Sequence, residues 1–81
     1  MSVLVLDADL LSAALAEAGD DEPVIAVDPS ADRLEHLMRS HPDPRISWLI
    51  GDGEIVPLPD ASVDSVHGWV ADAERRRVLR P

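Results

Sequence analysis

Asp28 closes the apolar run Val24-Ile25-Ala26-Val27, and an earlier run of the same kind, Val3-Leu4-Val5-Leu6, ends roughly 20 residues before it. An acid at the end of the second strand of a strand, helix, strand unit is placed to accept hydrogen bonds from ribose hydroxyls. Asp52 is a second candidate. It stands between two glycines in Gly51-Asp52-Gly53-Glu54, immediately after a third apolar run, Ile46 to Ile50. Asp7 and Asp9 follow the first run, where a carboxylate pair could attract a cationic ligand; helix capping by Asp9 and simple solvation of Asp7 are the alternatives.

Other chemistry is harder to assemble. No two of His36, His41 and His67 share the i, i+4 spacing that brings imidazoles together on a helix, so the histidines predict no metal site. His67 alone could serve as a base, or could be a lone polar residue on an edge strand. Trp48 and Trp69 are the only aromatic residues and read as core residues, with stacking on a purine as the alternative. The absence of cysteine removes thiolate metal sites, thiol nucleophiles and any disulfide frame. Sixteen acids against seven bases give a net charge of −9, which argues against a nucleic-acid partner. All the bases are Arg, and the cluster Arg75 to Arg80 reads as a solvated helix end, with a salt contact to acids of this chain or of another copy as the alternative. No apolar run approaches the roughly 18 residues of a membrane span. The first residues carry acids rather than a basic start, so neither membrane nor export is expected and the cytoplasm is the expected location.

Positioning these residues requires alternating elements. The pattern predicts a strand over Val3 to Leu6 and a helix over Asp9 to Ala18, with Leu10, Leu11, Ala14, Leu15 and Ala18 on one face and Gly19 ending it. Asp20 to Pro23 forms a charged turn and Val24 to Val27 a second strand. Ser30 caps a helix to Ser40, whose stripe is Leu34, Leu37 and Met38; Pro42 and Pro44 prevent its continuation. Ile46 to Ile50 is a third strand, Gly51 to Ser62 a loop with an apolar patch, and Val63 to Val70 a fourth strand diluted by polar residues and Gly68. A last helix spans Ala71 to Leu79, with Val70, Ala73, Arg77 and Leu79 turned inward. Strands alternating with helices give an α/β fold, here a partial Rossmann-like parallel sheet of order 3-2-1-4 with helices on its faces.

Three quoted segments carry a resemblance to a known family: Val24-Ile25-Ala26-Val27-Asp28-Pro29-Ser30; Ile50-Gly51-Asp52-Gly53-Glu54 with Pro57-Leu58-Pro59-Asp60-Ala61-Ser62-Val63-Asp64; and Arg76-Arg77-Val78-Leu79-Arg80-Pro81. They resemble the class I S-adenosylmethionine-dependent methyltransferases, in the short-loop, type 11-like branch. The resemblance implies that Asp28 holds the ribose and that Asp52 bonds the adenine amino group, with the neighbouring backbone at Gly53 helping. Against the family pattern, Asp7-Ala8-Asp9-Leu10-Leu11 replaces a glycine-rich turn, and Val5 replaces an acid within the first strand. The segment before the Arg-rich helix is short, and strands five to seven are absent. Residues 1–81 are therefore expected to be a single truncated domain, the cofactor-binding half only. It is expected to bind S-adenosylmethionine weakly and to be weak or inactive as an isolated monomer, its status as an enzyme and any catalytic residue being open. A non-catalytic interaction module or a decayed gene product is the alternative. The exposed fourth strand implies a homodimer or a partner chain that pairs with it.

Overall fold

Short β-branched runs flanked by turn residues become strands here because both of their faces can be covered. The computed structural model describes residues 2–7, 10–19 and 22–81. In chain order the elements are β1 (Val3–Val5), α1 (Leu11–Ala18), β2 (Val24–Asp28), α2 (Ala31–Ser40), β3 (Ile46–Ile50), β4 (Ser65–His67) and α3 (Asp72–Val78). The sheet is parallel throughout, in the order β3-β2-β1-β4, as the alternating pattern predicts.

The pleat divides the core in two. Val3, Val5, Val24, Ala26 and Ile46 face α1, where Leu11, Ala14 and Ala18 meet them; Leu37 and Trp48 pack on the same cluster. Leu4 and Val27 face the opposite side, under Val56, Val63, Val70 and Val78. Leu4, Val24, Val63 and Val78 are fully buried, each such side chain stabilising the fold by about 1.5–3 kcal/mol.

Helix boundaries follow local chemistry. The hydroxyl of Ser30 accepts the amide of Arg33 at 3.2 Å and caps α2 as expected. Leu34 is buried and Leu37 half-buried, but Met38 is exposed, so the inward stripe of α2 is narrower than the sequence suggested. Gly19 ends α1 with φ +77°. The expected cap at Asp9 and the turn at Asp20 and Asp21 lie outside the described residues.

The fourth strand differs most from expectation. Only Ser65–His67 pair with β1, rather than the whole of Val63 to Val70. Val63 instead bridges to Leu79 in parallel, and its amide donates to the Val78 carbonyl at 2.9 Å. Ala61 and Ser62 donate to the carbonyls of Arg77 and Val78 at 2.7 and 2.8 Å, so the last turn of α3 is capped by the segment leading into β4. Ser2 closes the same junction: its amide donates to Asp64 Oδ2 at 2.7 Å, and its hydroxyl to the Ser62 carbonyl at 2.7 Å. In α3 Ala73 is exposed and Val78 buried, so Val78 takes the inward place assigned to Ala73.

Candidate functional site

In a parallel sheet the segments that follow the strands converge at the carboxyl edge. Here these are Asp7 after β1, Asp28 at the end of β2, Gly51 to Ile55 after β3, and Gly68 and Trp69 after β4. The strands β2 and β3 stay paired to their ends, since the Gly51 amide donates to the Asp28 carbonyl at 3.1 Å. That bond ties the start of the Asp52 loop to the end of β2.

Asp28 is buried, and its carboxylate is already engaged. Oδ1 accepts the Ser30 amide at 2.8 Å, and Oδ2 lies 3.4 Å from Arg33 Nη1, whose side chain is 62% exposed against 5% for Asp28. Beside it Val5, Leu11, Leu34 and Leu37 enclose a recess of about 10 Å³, room for about one water. Arg33 is the only charged side chain shown against Asp28 among the described residues, and the contact is long enough to be weak in its exposed setting.

Asp52 is exposed, and it organises its own loop: Oδ1 accepts the amides of Glu54 and Ile55, both at 2.9 Å. Gly53 is buried against the segment after β4. A Cβ at Gly53 would collide with the Trp69 carbonyl oxygen and would lie 2.8 Å from Trp69 Cε3, and the Ala71 amide donates to the Gly53 carbonyl at 2.8 Å. Gly68 is constrained differently. Its φ is +100°, and a Cβ there would sit 3.3 Å from the Asp7 amide, so glycine lets the turn after β4 run close to the turn after β1.

The loop after Asp52 is held by an ion pair that sequence reasoning did not identify. Glu74 Oε2 accepts from Arg77 Nε at 2.7 Å and Glu74 Oε1 from the Val56 amide at 2.8 Å. Arg77 also donates to the carbonyls of Leu58, at 2.6 Å, and Val56, at 2.8 Å, and to Asp60 Oδ1 at 3.1 Å. The hydrogen bond from Arg77, followed by that from the Val56 amide, holds the Glu74 carboxyl below the usual range; Glu74, then Asp60, raise the Arg77 guanidinium further. The inward reading of Arg77 was correct, and the Glu, Arg spacing of i, i+3 was the available signal for its partner.

The remaining candidates are dispersed. His67 faces α1, its Nε2 3.1 Å from Glu17 Oε2 but too poorly aligned to count as a hydrogen bond. Trp48 packs against the first core cluster as expected, whereas Trp69 is 66% exposed and is not a core residue. Arg75, Arg76 and Arg80 lie exposed at the end of α3. Among the described residues no cluster of three or more His, Asp or Glu could hold a metal, and no helix is long and apolar enough to cross a membrane.

A family model described as a methyltransferase domain matches residues 8–81, nearly the whole chain. A search of curated proteins finds no match.

Proposed function

Since the chain belongs to the methyltransferase-domain family, whose class I members use S-adenosylmethionine, we propose that it binds this cofactor weakly, through the adenosine half, at the carboxyl edge of the sheet. The observation that supports the reading is the pairing of Asp28 with Ile50 and the bond from the Gly51 amide to the Asp28 carbonyl, which bring Asp28 and the loop that carries Asp52 to the same edge of the sheet. Asp52 has Oδ2 without a partner among the described residues and can accept from an adenine amino group, with Gly53 holding the loop in place. Asp28 can serve a ribose once Arg33 withdraws from Oδ2, a small displacement for an exposed side chain held at 3.4 Å. The methionine end is less well provided, because in the sequence Asp7, Asp9 and the branched Leu11 stand where the family pattern has glycines that let the backbone approach a ligand. When bound, the cofactor supplies a methyl group on a sulfonium; this chain's own residues bind and orient its nucleoside.

Isothermal titration with S-adenosylmethionine tests the reading. The expected affinity is weaker than about 100 μM, worth about −5.5 kcal/mol, and Asp28→Ala should abolish the heat. Binding that Asp28→Ala leaves intact would remove the ribose role.

A second reading, a non-catalytic module that works by association, is favoured by the engagement of Asp28 with Ser30 and Arg33 and by a recess with room only for a water. Its surface would be the outer edge of β4, where Leu79 reaches only Val63 and Ser65–His67 are shown paired with β1 alone. A second copy or a partner strand adding there would satisfy those backbone groups.

A further inference from the structure

Large apolar side chains left in water are uninformative singly but not when they gather around one loop. Among the described residues Met38, Ile50, Ile55 and Trp69 are exposed. All but Met38 lie on the segments that hold Asp52 and Gly53 or, in the case of Trp69, pack against them. Trp69 is anchored without being covered. Its carbonyl and its six-membered ring rest on Gly53, and Ala71 ties the following residues to the Gly53 carbonyl, while 66% of the residue stays in solvent. A tryptophan restrained in this way offers a large flat surface at low entropic cost. One residue away, the Asp52 carboxylate is fixed through Oδ1 by two amides, and Oδ2 has no partner among the described residues.

The geometry points to Trp69 as a stacking platform for a planar heterocycle that carries an exocyclic amino group, the purine of an adenosine ligand, with that amino group donating to Asp52 Oδ2. This rests on the adenosine reading above and adds to it the aromatic surface that holds the base, with Asp52 as the group that discriminates between bases. The indole accepts any base face, and the carboxylate then selects for an amino donor at its edge. Adenosine is favoured over inosine, which replaces the amino group by a carbonyl and would set an acceptor against the carboxylate.

The test uses the 81-residue protein with Trp48→Phe, which leaves Trp69 as the sole indole. Adenosine up to millimolar concentration should quench Trp69 fluorescence saturably, and inosine should bind at least fivefold more weakly. Affinities of the variants are read from amide shifts of Asp28, Ser30 and residues 52–55. Trp69→Leu, which keeps apolar bulk but loses the π face, should weaken adenosine at least fivefold, while Trp69→Phe stays within about threefold. Circular dichroism checks that each variant is folded. Adenosine binding that Asp28→Ala abolishes but folded Trp69→Leu leaves unchanged overturns the platform and spares the ribose reading. Equal affinity for inosine overturns the role of Asp52. No shift with adenosine in the parent overturns both the platform and the adenosine reading beneath it.

Discussion

Adding one methyl group at Gly53 is expected to loosen the junction between the loop after β3 and the segment after β4. The new Cβ would collide with the Trp69 carbonyl, which is backbone, and would lie 2.8 and 3.1 Å from Cε3 and Cζ3 of its ring. The ring can tilt into solvent, but the carbonyl cannot move alone. Val70 follows it and is 95% buried in the second core cluster, and the Ala71 amide bonds the Gly53 carbonyl. Relief therefore requires losing that hydrogen bond, worth about 1 kcal/mol net, or displacing Val70, with overpacking costs of about 1–3 kcal/mol. A loss of about 2 kcal/mol is a large share of the roughly 4–12 kcal/mol expected for a domain of this size. It corresponds to a fall in Tm of roughly 8–16 °C. Thermal melts of Gly53→Ala followed by circular dichroism give the number. Adding Trp69→Ala to Gly53→Ala should recover only part of it, because the ring contact is removed and the carbonyl contact remains. A Tm within about 2 °C of the parent would show that the junction yields freely and that glycine is not required there.

Glu74→Gln should flatten the acid limb of the stability profile. The folded carboxyl titrates below its ordinary 4.5, so its contribution is present above that pH and is lost as pH falls through the folded value; urea midpoints between pH 3 and 6 that remain parallel to the parent would contradict the clamp. Ser30→Ala removes the cap on α2 and should cost about 0.5–2 kcal/mol in urea unfolding, with no change at all counting against the hydroxyl's role. Sedimentation at low micromolar concentration should give about twice the monomer mass, reduced by Val66→Lys on the β4 edge. A monodisperse, folded monomer in both samples would remove the association reading.

The sheet was legible because its signals are local. Val3 to Leu6, Val24 to Val27 and Ile46 to Ile50 are apolar and β-branched, with turn residues at their ends, and alternation with helices leaves parallel pairing as the simple arrangement. Ser30 was legible for the same reason, since a cap bonds only three residues ahead. The fourth strand was misjudged because its limits depend on distant partners. Val63 is claimed by Leu79, and Gly68 turns with a positive φ that composition alone cannot reveal. Asp28 and Asp52 could be located from sequence, but not the fact that both are already bonded, to Ser30 and Arg33 in one case and to the amides of Glu54 and Ile55 in the other. Trp69 reads as a core residue in sequence because a large aromatic ring in a small protein is usually needed inside; here the second cluster is filled by aliphatic side chains instead.

The closure of Ser2 onto Asp64 spans 62 residues, and β1 pairs with β4 across a similar length. Pairing of β2 with β3 spans roughly 20 residues and completes a compact unit with α2 between them. By loop-closure entropy the longer connection costs about 1 kcal/mol more before any contact repays it, so the order of assembly is set by topology. The β1, α1, β2 and β2, α2, β3 units each close roughly 20 residues and are expected to form ahead of the pairing of β1 with β4. The N-terminal residues and the segment Ser62 to His67 come together last, as a seam. Hydrogen exchange in the native protein should accordingly run fastest along that seam, while the amides of Ala26 and Val27 open only with the whole domain.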